Sequence, residues 1–77
     1  MKGVRSRLQQ RVGQVVRRHR EAKEWSQEAF ADHIKMHRAQ YGFLEQGKRD
    51  LRLSSLERVA HGLGKPIWEI LREAEEL

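Results

Sequence analysis

A single proline, Pro66, and the absence of any run of β-branched residues alternating with polar ones leave this chain little alternative to helix. Apolar spacing and local punctuation then decide where each helix begins and ends. The first is predicted over residues 6–23, with Ser6 as its cap. Leu8, Val12, Val15, Val16 and His19 recur there at three- and four-residue spacing as one inward stripe, opposite a face of Arg and Gln. The second, residues 26–34, opens on Ser26, which can cap free backbone N–H groups, and turns Ala29, Phe30 and Ile34 inward. After the tight connection Lys35-Met36-His37, a third helix spans residues 38–46, with Tyr41 and Leu44 inward and Gly47 as its stop. Gly42 lies inside it at a cost of about 0.5–1 kcal/mol relative to alanine, which points to close approach of another backbone or of a bound partner. A fourth helix, residues 54–63, is predicted from the capping box Ser54/Glu57 and from Leu56, Val59, Ala60 and Leu63. The fifth, residues 66–76, starts at Pro66 and carries Ile67, Trp68, Ile70, Leu71, Ala74 and Leu77 over a Glu-rich remainder. The expectation is an all-α chain forming one domain over residues 1–77.

Several function classes drop out on composition. The chain has no cysteine, which removes disulfide frameworks, thiolate zinc sites and cysteine nucleophiles together. No run of 18 apolar residues exists, and no signal peptide is legible, so the expected location is the cytoplasm, away from membranes. The serines read as caps and turn residues, and no glycine-rich phosphate loop occurs. His33 and His37 are four apart, but a turn is expected between them and no third ligand has credible spacing, so no metal, cofactor or small-molecule ligand is expected. Nothing supports an enzyme, and no catalytic residue is assigned. Charge is the positive signal. Residues 1–52 hold thirteen Lys/Arg and six Asp/Glu, whereas residues 53–77 hold three and five, a polyanion-binding front and a mildly acidic back.

Two short helices joined by three residues, then a Gly-terminated loop and two more helices, are what a helix-turn-helix requires: one helix crosses the phosphate backbone and the next enters the major groove. The segments Trp25-Ser26-Gln27-Glu28-Ala29-Phe30-Ala31-Asp32, Met36-His37-Arg38 and Leu44-Glu45-Gln46-Gly47-Lys48-Arg49 resemble the Cro/C1-type (XRE) helix-turn-helix family. The resemblance extends from about Val12 to Leu71. Ser-Gln-Glu-Ala-Phe-Ala-Asp, His37-Arg38 and Lys48-Arg49-Asp50-Leu51 lean towards the controller proteins of restriction–modification systems. The resemblance implies a five-helix lambda-repressor-like fold with the helix-turn-helix at helices two and three.

It also implies roles for particular residues. Gln27 matches the family glutamine that hydrogen-bonds a DNA phosphate and braces the reading helix. Arg20 and Glu45 match a shielded ion pair that orients the third helix. Base contacts are expected from Arg38, Ala39, Gln40 and Phe43: Arg38 onto guanine, Gln40 onto adenine, Ala39 or Phe43 onto a thymine methyl. A phosphate contact is the alternative for Arg38, and completion of the core the alternative for Phe43. His37 replaces the usual Ser, Thr or Asp cap and is assigned to phosphate, as are Lys48, Arg49 and Arg52. Two positions depart from the family pattern. Tyr41 stands where an isoleucine is usual and requires a partner for its hydroxyl; Arg52 stands where a Ser or Thr often caps, which moves the expected cap to Ser54.

The expected partners are double-stranded DNA, as a palindromic operator, and a second copy of the chain. Trp68, Leu71 and Leu77 of the last helix are the candidate dimer interface, unless Trp68 folds back into the core. A transcriptional regulator is the leading reading. A toxin–antitoxin antitoxin and a helical protein-interaction module without DNA binding stand as alternatives.

Overall fold

The computed structural model describes residues 7–77, and five helices follow in order with no strand among them. They are α1 (Arg7–Ala22), α2 (Gln27–His33), α3 (Arg38–Gln46), α4 (Leu53–Leu63) and α5 (Ile67–Glu75). The proposed cap Ser6 lies outside the described residues.

The inward stripe of α1 forms as its spacing dictates: Val12, Val15 and Val16 are buried against α3 and α5. The stripe is shorter than expected at both ends. Leu8 is partly exposed, and His19 reaches across to α5, where its Nε2 lies 2.9 Å from Glu73 Oε2. Ser26 Oγ accepts the Ala29 N–H at 3.0 Å, so α2 begins at the expected cap. Phe30 and Ala31 of α2, Ile34 and Met36 of the turn, and Tyr41 and Leu44 of α3 join the core. Met36 is a connection residue by sequence pattern, yet it is buried. Lys35, at φ 57°, turns the chain so sharply that the Met36 N–H bonds the Ala31 carbonyl at 2.9 Å and its side chain points inward. Phe30 packs on Tyr41, with ring centroids 5.3 Å apart, and Trp25 meets its edge at 6.1 Å. His33 stacks on Trp25 at 4.8 Å, so this histidine is engaged with a ring.

The expected capping box of α4 does not form. The helix starts one residue earlier, at Leu53, with Arg52 in the extended cap conformation and its carbonyl accepting the Leu56 N–H at 3.0 Å. Ser54 is thereby inside the first turn and exposed. The inward position of Leu56, buried in the core, fixes this register, and a cap at Ser54 would require unwinding the turn that delivers it. Along α5, Ile70 and Ala74 are buried and Ile67 and Leu71 half-buried, whereas Trp68 is 62% exposed.

Helix α1 meets α3 most intimately at Gly13, a position that the apolar pattern passes over. A Cβ there would stand 2.3 Å from the Glu45 carbonyl oxygen and 2.7 Å from that of Leu44, so α1 crosses α3 backbone to backbone. Gly47, at φ 65°, ends α3 in the left-handed conformation, where a side chain would also meet the Gln10 backbone at 2.7 Å. These two glycines set how deeply α3 seats on α1, and hence how its outer face is presented.

Candidate nucleic-acid interface

The outer face of α3 is held by a polar cluster buried beneath it. Arg20 of α1 and Glu45 of α3 are each 7% exposed. The Arg20 guanidinium donates through Nε to Glu45 Oε2 at 2.6 Å and through Nη2 to Oε1 at 3.1 Å, a two-pronged pair. Its remaining Nη1 donates to the Trp25 carbonyl at 2.7 Å, which ties the pair to the entrance of α2. Gln27, the first residue of α2, donates to Glu45 Oε1 at 2.8 Å, and the Tyr41 hydroxyl donates to Oε2. The tyrosine thus fills an apolar position and supplies a donor to the carboxylate under it. Among the described residues no buried side-chain nitrogen or oxygen lacks a partner.

The titration behaviour follows from this geometry. Burial pushes the Glu45 carboxyl up, but the bonds from Arg20, Tyr41 and Gln27 together outweigh it and hold the group below the usual carboxylate range. The Glu45 hydrogen bond raises Arg20 further above its already high value. Burial, and then donation to Glu45, raises the Tyr41 hydroxyl well beyond the ordinary tyrosine range. Near neutral pH the cluster is therefore a carboxylate held by a guanidinium, a phenol and an amide.

Above the cluster, α3 presents Arg38, Ala39 and Gln40 exposed on its first turn and Phe43 half-buried one turn on. Phe43 is neither fully core nor free, because the Arg49 guanidinium lies over its ring, 4.2 Å from the centroid. His37 occupies the cap position of α3 without a side-chain capping bond. Lys48, Arg49 and Arg52 are exposed along the loop from α3 to α4. His37, Ala39, Gln40, Phe43, Arg49 and Arg52 surround one open cleft between α3, the loop and the start of α4. Gln27, Arg38 and Lys48 are not part of its lining. Gln40 reaches across it to Ser55 Oγ at 3.5 Å, a weak contact that leaves the amide available.

Arg38 has company that its sequence position did not announce. Nη1 lies 3.2 Å from Glu28 Oε2 and Nη2 3.1 Å from Asp32 Oδ2, both carboxylates on α2. All three side chains are more than half exposed, so the two pairs orient the guanidinium without contributing much stability. The expected backbone approach at Gly42 does not occur within the chain, since a Cβ there would meet nothing within 4 Å. The space above Gly42 is open on the same helix.

The three candidates for the dimer interface also have their places, Trp68 and Leu71 on α5 and Leu77 just beyond its end. Trp68 and Leu77 are exposed and Leu71 is half-buried, and Trp68 and Leu71 lie one helical turn apart. Leu71 lines an apolar depression with Leu8, Leu51, Leu53 and Leu56, of which Leu53 is 71% exposed. Among the described residues, no group of three or more His, Asp or Glu could hold a metal ion, and no helix is long and apolar enough to cross a membrane.

Comparison with known proteins places this geometry. A family model described as helix-turn-helix matches residues 16–69. The control protein C.MunI of Mycoplasma sp is 36% identical over 67 residues, covering 86% of this chain and 90% of its own. The solved restriction–modification controller protein C.AhdI from Aeromonas hydrophila superposes with a TM-score of 0.75 at 31% identity, over 79% of this chain and 92% of that one. The controller protein C.Esp1396I, solved as a tetramer in complex with its natural 35 base-pair operator, superposes with a TM-score of 0.79 at 28% identity, over 91% and 97%.

Proposed function

The chain belongs to the Cro/C1-type helix-turn-helix family of DNA-binding regulators, and from that premise we propose that it binds a palindromic operator in double-stranded DNA as a homodimer. Its type is that of the restriction–modification control proteins. The observation that carries the proposal is the outward face of α3, held by the Arg20–Glu45–Tyr41–Gln27 cluster and flanked by the cations of the following loop. A reading helix must arrive at the groove already oriented, because motion left in it would have to be frozen on binding.

In this reading Arg38 and Gln40 reach base edges, Ala39 and Phe43 meet thymine methyl groups, and His37, Lys48, Arg49 and Arg52 contact phosphates. Gln27 carries two N–H protons. One is given to Glu45 and the other faces a phosphate, so the same amide braces α3 and anchors α2. Arg38 exchanges Glu28 and Asp32 for a guanine, at small cost because both pairs are exposed. Two copies pair through Trp68, Leu71 and Leu77, large apolar side chains that the monomer leaves open or half-covered. The protein acts in the cytoplasm on DNA alone, with no cofactor.

Substitution separates the two kinds of contact. Arg38→Ala relaxes preference at one position per half-site by about 1–3 kcal/mol, whereas Gln27→Ala weakens binding to all sequences together. Binding titrations against the operator and single-base variants read the difference. Equal, sequence-independent losses from both substitutions would remove Arg38 from the bases.

A further inference from the structure

The loop from Gly47 to Arg52, which carries three of the cations assigned to phosphate, has few bonds of its own to hold it. Within it, the Gly47 and Lys48 N–H groups return to the Leu44 and Phe43 carbonyls, at 3.2 and 3.1 Å. Leu51 packs against the core and Arg49 lies over the Phe43 ring, and the loop backbone is held further by a side chain about forty residues away. Gln9, on the first turn of α1, donates from Nε2 to the Gly47 carbonyl at 3.3 Å and to the Arg49 carbonyl, and its Oε1 accepts the Leu51 N–H at 3.2 Å. One carboxamide thereby occupies two acceptors and one donor of the loop backbone, much as a neighbouring strand would. Only an amide of this length does so, since a carboxylate has no N–H to give and an ammonium no oxygen.

We propose that Gln9 is a positioning residue for DNA binding: it clamps the 47–52 loop in the conformation in which Lys48, Arg49 and Arg52 meet phosphates. The inference rests on the DNA-binding reading above. Gln9 itself contacts no DNA. It removes the entropy that a loose loop would lose on binding, so its loss weakens binding without removing any phosphate contact. The clamp also fixes the backbone of Arg49, whose guanidinium covers the Phe43 ring and so shapes one wall of the cleft.

The distinguishing feature is the salt dependence. Deleting a phosphate-contacting cation lowers both the affinity and the slope of log K against log salt, by about one for one contact. Loosening the loop lowers the affinity alone, because the same cations still bind in the end. Gln9→Met keeps the length, the apolar stem and the helix propensity of the side chain while removing its donors and acceptor. The expected result is a loss of about tenfold in affinity, on the order of one net hydrogen bond. The loss is the same for operator and unrelated duplex, with an unchanged salt slope, and amide exchange at Leu51 rises at least as much. Lys48→Ala serves as the comparison and lowers the slope. Exchange at Leu51 unchanged in Gln9→Met overturns the clamp. Faster exchange with unaltered affinity, or a lowered slope, overturns its role in positioning. If the unsubstituted protein binds neither duplex, the DNA reading itself fails, and that is seen before any variant is compared.

Discussion

Arg20→Met removes the guanidinium from the cluster beneath α3 and leaves the Glu45 carboxylate buried, with only the Tyr41 and Gln27 donors. Both partners of the pair are shielded, with side-chain exposures of 8% and 2%. Breaking such a pair from one side costs about 3–5 kcal/mol, because the remaining charge stays desolvated. A chain of this size has a total stability of about 4–12 kcal/mol, so the variant stands near the edge of folding. At about 4–8 °C per kcal/mol, the melting point falls by roughly 12–40 °C. The substitution also reverses a pH dependence. In the unsubstituted protein the folded Glu45 carboxyl lies below its unfolded value. Its contribution is complete above the ordinary carboxylate range and disappears as pH falls through the lowered value. Without Arg20, burial is opposed only by the Tyr41 and Gln27 bonds, and the folded value is expected to rise above the unfolded one. The native state then binds the extra proton, and lowering the pH from neutrality recovers stability. Urea unfolding of both proteins between about pH 8 and pH 4 tests this, with the difference between them shrinking as pH falls. Arg20→Met/Glu45→Gln removes the charge altogether and should abolish that convergence. A loss below about 1 kcal/mol, or a difference constant across the range, would refute the assignment of Glu45 as a carboxylate held by Arg20.

Other consequences follow from the same geometry. Gly13→Ala drives a Cβ into the Glu45 and Leu44 carbonyls and forces α1 and α3 apart. Thermal melts should show a loss at the upper end of about 1–3 kcal/mol, and operator affinity should fall with the displaced α3. Gly42→Ala meets no protein atom within 4 Å, so denaturation should show a gain of about 0.5–1 kcal/mol while operator binding weakens where DNA closes on that position. A gain in stability with full operator affinity would show that no DNA comes near Gly42. Trp68→Ala should weaken self-association in sedimentation while circular dichroism keeps its helical signal. An unchanged sedimentation profile would remove Trp68 from the interface.

The elements legible in the sequence are those whose residues act locally. The α1 valines at helical spacing, Ser26 before Gln27, and Gly47 after Gln46 each carry their own signal. What pattern alone did not reveal depends on contacts between distant segments. Gly13 resembles an ordinary weak point in a helix until α3 is seen to cross it. Ser54 satisfies a local capping rule, but the burial of Leu56 starts the helix at Leu53. Tyr41 was an outlier whose hydroxyl needed a partner, and the partner proved to be the carboxylate four residues on. The engagement of Arg38 by Glu28 and Asp32 had a faint precursor, since acidic residues four apart on one face of α2 invite a cation. Gln9 had none: an amide on a polar helix face becomes informative only when a loop some forty residues later lies beside it.

In the proposed function the exposed face of α3 reads DNA sequence, twice over, in a two-fold arrangement. Selecting bound duplexes from a random pool at near-physiological salt and sequencing them tests this directly. The expected result is a two-fold symmetric motif whose half-sites lie one helical turn or a multiple of it apart, about 10 base pairs between centres. Retention that depends only on salt, with no enriched motif, would contradict it.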